Sequence, residues 1–162
     1  MKTKSHINDN VKAKTGIMLD LGGGNSKRPG FVSIDKRKLP TVDIVHDLEK
    51  IPYPLKDESV ITMVASHLVE HLKPWLMIDI FNEWWRIGKV DCELAISMPY
   101  GYSSGFLQDP THVAAFNEAS FQYFDPTFPL YKVYEPKPWK IKYGPVFQVN
   151  GNLEVIMQKI KI

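Results

Sequence analysis

The first apolar run of this chain, Ile17-Met18-Leu19-Asp20-Leu21, stops at Gly22-Gly23-Gly24-Asn25, and the next, Phe31-Val32-Ser33-Ile34-Asp35, starts directly after Gly30. Runs this short, bounded by turn residues, read as buried strands. Val42-Asp43-Ile44-Val45-His46-Asp47 is a third candidate. Val60-Ile61-Thr62-Met63-Val64-Ala65, ending at Ser66-His67, has the β-branched, apolar make-up of a central strand. Between Pro74 and Ile87 the period changes: Met77, Ile80, Phe81, Trp84 and Ile87 recur at helical spacing, and Pro74 suits a first turn. Glu93 to Met98 is the next strand, closed by Pro99. Asn117 to Phe124 predicts a short capped helix that Pro126 ends. Tyr131 to Tyr143 and Leu153 to Ile160 read as strands, with turn signals at Pro145 and Asn150-Gly151-Asn152, so a closing hairpin is expected. The pattern predicts an α/β fold with a mostly parallel sheet and a C-terminal antiparallel hairpin.

At 162 residues the chain suits one domain, placed at residues 16–162, with the Lys-rich residues 1–15 as a flexible arm. No apolar run is long enough to span a bilayer and no signal-peptide core follows the basic start, so no membrane contact and a cytoplasmic location are expected. Cys92 has no cysteine to pair with and reads as a small core residue. The net charge of +2 is unevenly spread: residues 1–38 are basic and residues 39–108 acidic. A chain that lives on polyanions shows a broader basic excess. Nucleic acid is compatible with this charge but not favoured by it.

In open α/β sheets a ligand lies beyond the carboxyl ends of the strands. Those ends are polar here. The first carries Asp20 and the glycines Gly22, Gly23 and Gly24, where a missing β-carbon lets a ligand approach the backbone. The second ends in Asp35, whose carboxylate can accept both hydroxyls of a ribose. The third leads to Asp47-Leu48, an acid beside an apolar side chain, which suits the amino edge and face of a purine. The fourth gives Ser66 and His67. In that order they describe the site of a nucleoside-bearing cofactor. A Gly-Lys-Ser/Thr phosphate cradle is absent, and Lys27 stands where a dinucleotide fingerprint needs its third glycine. Only Gly22 to Gly30 separates the first two runs, so the usual crossover helix must be shortened to a loop.

These segments, with Val45-His46-Asp47-Leu48-Glu49, Ala65 to Leu72 and Asp109-Pro110-Thr111-His112, resemble the class I S-adenosylmethionine-dependent methyltransferases, in a compact branch with a shortened first crossover. The resemblance covers residues 17–125. It implies a Rossmann-like sheet of seven strands, the last antiparallel, in a three-layer α/β/α arrangement with reduced helices. It also implies Asp20 and Gly22 to Gly24 around the methionyl part of S-adenosyl-L-methionine, Asp35 on the ribose, Asp47 and Leu48 at the adenine, and Ser66 and His67 close to the sulfonium.

His67-Leu68-Val69-Glu70-His71 is also the inverted zinc-peptidase pattern, in which two histidines on one helical face bind zinc beside a glutamate base. It needs a third ligand from elsewhere, and Lys73-Pro74 leaves it barely one turn of helix. No metal is expected, and a capping turn whose histidines line the cofactor pocket is the favoured reading. The lysines and aromatics between Lys132 and Tyr143 have the mix that stacks on nucleic acid, but they fit a protected edge strand better. Trp75, Trp84 and Trp85 exceed what one buried helix face needs, which admits a homodimer contact.

The expected function is methyl transfer to a small-molecule or sugar acceptor. His67, Asp109 and His112 are the catalytic candidates, the last two carried by a pliant loop from Pro99 to His112. The rivals are a non-catalytic cofactor-binding or nucleoside-binding module and, less favoured, a zinc hydrolase.

Overall fold

The computed structural model describes residues 15–161; the greater part of the expected N-terminal arm lies outside the described residues. Strands β1 (Ile17–Leu21), β2 (Val32–Asp35), β3 (Ile44–Val45), β4 (Val60–Ser66), β5 (Gly88–Pro99), β6 (Trp139–Phe147) and β7 (Asn152–Lys159) form one sheet in the order β3-β2-β1-β4-β5-β7-β6. The first five run parallel, and β7 is antiparallel to both β5 and β6. This is the sheet that the sequence predicts. No helix interrupts residues 22–31 between β1 and β2, so the shortened crossover is a loop.

Helix α1 (Met77–Ile87), entered through a 3-10 turn at Pro74–Leu76, buries Met77, Ile80, Phe81, Trp84 and Ile87, as the periodicity requires. Its helical run passes directly into β5. That strand is longer than expected because pairing with β4 begins at Gly88, ahead of the apolar run. One-turn helices α2 (Ser104–Leu107) and α3 (Tyr131–Tyr134) and 3-10 turns at Val69–His71 and Ser120–Phe124 complete the helical content of the described residues. Among those residues no helix is long and apolar enough to cross a membrane.

Two expectations change at residues 131–143. Tyr131 to Tyr134 is helical rather than extended, its last turn closed by Glu135 in the left-handed region (φ 44°), and the strand starts only at Trp139. The tyrosines satisfy tertiary partners there: Tyr131 Oη donates to the Pro136 carbonyl at 2.6 Å, and Tyr134 packs on Tyr123. The lysines that remain strand residues, Lys140 and Lys142, are exposed on β6, which is the sheet edge.

Register assigns each side chain to a face. Leu21, Ile34, Ala65, Ile96 and Val155 lie side by side on one face and are buried. Asp20, Ser33, Val64, Ala95 and Ile156 share the opposite face, where Val64, Ala95 and Ile156 are only half-buried. Cys92 is fully buried, as expected.

Candidate active site

A cavity of about 680 Å³ opens beyond the carboxyl ends of β1 to β4, a volume in the range of small-ligand sites. Its wall includes Gly22, Asp35, Asp47, Leu48 and His67, so the expected glycine turn, ribose acid, purine pair and fourth-strand residue converge on one space. Gly22 holds φ 69°, and a β-carbon there would stand 2.8 Å from Leu68 Cδ1. The glycine thus serves both the turn and the close packing of Leu68, itself part of the wall.

Asp35 is 6% exposed and heavily engaged. Oδ2 accepts from the Gly24 N–H at 3.0 Å, and Oδ1 accepts from the Arg37 N–H at 2.8 Å and from Arg37 Nε at 3.2 Å. Burial alone would raise its pKa, yet these hydrogen bonds and the guanidinium charge hold it below the usual carboxylate range. The Arg37 side chain is about half exposed and covers the acid from the solvent side. Leu48 is buried beside Asp47, and its carbonyl accepts from Tyr53 Oη at 2.8 Å. Tyr53 Oη in turn accepts from Trp84 Nε1 at 3.1 Å, which ties the Asp47-Leu48 segment to α1.

Asp20, Gly23, Gly24 and Ser66 do not line this cavity, and neither do the catalytic candidates Asp109 and His112. Asp20 is buried on the second face of the sheet with Arg28 Nε 3.5 Å away, and burial raises its pKa. A β-carbon on Gly23 would meet Ser33 Oγ at 2.3 Å, so Gly23 lets the loop close on β2. Ser66 lines a smaller cavity of about 260 Å³ with Arg28, Ser97, Tyr143 and Glu154.

His67 is half exposed and holds φ 50°, a strained conformation for a side chain of its size. Its N–H donates to the Ser97 carbonyl, and its Nδ1 stands 3.4 Å from Glu70 Oε1. Only Val69–His71 forms a 3-10 turn, so His67 and His71 do not share a helical face. Glu70 is completely buried, neither carboxylate oxygen has a hydrogen-bond partner, and burial pushes its pKa up. The loop beyond β5 returns to this turn, where the N–H groups of Val113 and Ala114 donate to the Glu70 carbonyl. His112 is thereby stacked edge-on against His71, with ring centroids 4.7 Å apart. Asp109 lies 3.7 Å from His112 Nε2. Glu70, His71 and His112 thus come together, whereas sequence reasoning paired His67 with His71 as zinc ligands beside Glu70 as base and placed His112 on a separate loop.

Lys36, Arg37, His71, Leu72, Thr111 and Val113 also line the larger cavity. Position directly after the second strand end could have flagged Lys36 and Arg37. The loop expected to be pliant is partly fixed. A β-carbon on Gly101 would press on Phe116 O at 2.8 Å, and Ser103 caps α2 by accepting from the Phe106 N–H, whereas Gly105 is loosely surrounded.

The sequence matches no family model and none of the curated proteins compared. Its structure resembles a SAM-dependent methyltransferase from Archaeoglobus fulgidus, with a TM-score of 0.65 and 14% identity over 90% of this chain and 86% of that one. A Methanosarcina mazei SAM-dependent methyltransferase gives 0.59 and 14% over 93% and 95%. The 1,6-didemethyltoxoflavin-N1-methyltransferase of Burkholderia thailandensis, solved with 1,6-didemethyltoxoflavin and S-adenosylhomocysteine, gives 0.63 and 10% over 91% and 72%. The chain has the class I methyltransferase fold.

Proposed function

We propose that a protein with this fold and this pocket is a methyltransferase that uses S-adenosyl-L-methionine and acts on a small-molecule or sugar acceptor. The observation that carries the reading is convergence: Gly22, Asp35, Asp47, Leu48 and His67 leave four different strand ends and meet at one cavity. The residues fit the cofactor. Gly22 has no β-carbon to block an approach to the backbone, Asp35 presents a carboxylate at the cavity wall, and buried Leu48 offers an apolar face beside the Asp47 carboxylate. Ribose hydroxyls would share Asp35 with Arg37, whose exposed guanidinium can swing outward at little cost.

When bound, the cofactor supplies a methyl group on a sulfonium that needs in-line alignment with a nucleophile more than elaborate acid–base chemistry. His67, in its left-handed conformation, is the residue best placed to take a proton from an acceptor, because its ring borders the cavity and approaches Glu70. The Burkholderia thailandensis enzyme of the same fold, solved with 1,6-didemethyltoxoflavin bound, supports a small acceptor. Calorimetry with S-adenosylhomocysteine tests the binding half, and conversion of isotopically labelled S-adenosylmethionine with a panel of sugars and small metabolites tests the catalytic half. Binding without transfer to any acceptor would leave a cofactor-binding module; no binding would remove both.

A further inference from the structure

We propose that Glu70, His71 and His112 form a binding site for a divalent transition-metal ion of the zinc type. One ligand-capable atom of each lies within 4.8 Å of the others, the spread of ligands gathered around a single ion. Two imidazoles and a carboxylate are the donor set such ions take. The carboxylate is the independent sign. Glu70 is fully buried and neither oxygen has a hydrogen-bond partner, an arrangement unfavourable for an ionised carboxylate unless a cation offsets it. His67 approaches Oε1 at 3.4 Å without making that bond.

Both histidines are held in the tautomer a metal requires. His112 Nδ1 lies 2.9 Å from the Phe106 carbonyl, which can only accept, so Nδ1 carries the proton and the lone pair stays on Nε2. For His71 the reasoning passes through one more residue. Thr111 Oγ1 donates its proton to Asp109 Oδ1 at 2.7 Å, so at 3.1 Å from His71 Nδ1 it must accept, which again leaves Nε2 free. A ligand histidine that donates its other N–H to an oxygen acceptor is the usual second layer of a metal site. The Asp109-Pro110-Thr111-His112 segment therefore contributes both a ligand and the group that orients another. His71 and Thr111 also line the larger cavity, so an ion here adjoins the cofactor pocket.

The test is zinc titration by calorimetry on protein stripped with chelator, with Co²⁺ absorption as a spectroscopic readout. Wild type is expected to bind one ion per chain and to melt higher with zinc. Glu70→Gln, His71→Ala and His112→Ala should each weaken binding at least tenfold, Thr111→Val about tenfold through the lost orientation of His71, and His46→Ala not at all. Circular dichroism and S-adenosylhomocysteine binding on each variant show whether the fold and the cofactor reading stand, separately from the metal. If Glu70→Gln does not fold, the His71→Ala/His112→Ala pair decides. No saturable zinc binding by wild type, or equal binding by that double variant, would overturn the site.

Discussion

Asp35 illustrates how a residue's place can be foreseen and its state missed. Its position at the end of an apolar run makes it the candidate ribose acid, and the structure puts it at the cavity wall. Asp35→Ala is expected to weaken S-adenosylhomocysteine binding by about 1–3 kcal/mol, the worth of hydrogen bonds to a charged group; an unchanged Kd in a folded variant would end the ribose assignment. The Arg37 cover is not visible in the sequence, because three basic residues in a row, Lys36, Arg37 and Lys38, give no sign of which one folds back. Nor is the meeting of His112 with Glu70 and His71, which depends on where the loop after β5 returns. Asp125 gives a pH prediction at the same scale. Burial would raise its pKa, but the Thr127 and Ile141 N–H groups and the Thr127 hydroxyl lower it overall. A carboxylate with a depressed folded pKa stabilises above its unfolded value of about 4 and loses that contribution as pH falls through the folded value. Asp125→Ala should cost about 1–3 kcal/mol in urea unfolding at pH 7, and the gap from wild type should narrow below pH 4.

Among the elements, α1 links the core to the pocket. Trp84 is fully buried and hydrogen-bonded to Tyr53, whose hydroxyl holds the Leu48 carbonyl. The periodicity predicts the helix, but the strut depends on Tyr53, in a loop whose Pro52 and Pro54 give no periodic signal. Tyr53→Phe leaves the indole N–H and a carbonyl without their partner, so unfolding free energy should fall by about 1–3 kcal/mol. Because Leu48 loses its anchor, cofactor affinity should drop as well, while turnover at saturating cofactor stays near wild type. A variant with unchanged affinity would show that Leu48 is held by packing alone. The three tryptophans take different places: Trp84 of α1 is core, Trp85 of α1 donates to the Pro138 carbonyl beneath Lys159, and Trp75, in the 3-10 turn before α1, is exposed.

The molecule as a whole is built around an unequal sheet. The face bearing Leu21, Ala65, Ile96 and Val155 belongs to the buried core, while the face bearing Val64, Ala95 and Ile156 is half-buried over β4, β5 and β7. The short crossover explains part of this, since residues 22–31 send Arg28 across to Asp20 without a helix to cover the strands beyond. Substitutions on adjacent positions of one strand should therefore differ sharply. Met157→Ala, from the buried face of β7, is expected to cost about 2–5 kcal/mol. Ile156→Ala, its neighbour on the other face, should cost about 1 kcal/mol or less, because much of its side chain keeps contact with water in the folded state. Urea unfolding of the two variants at several protein concentrations decides it. Equal costs independent of concentration would mean that the chain itself covers this face, and an Ile156→Ala cost that grows with concentration would mean that a second copy does.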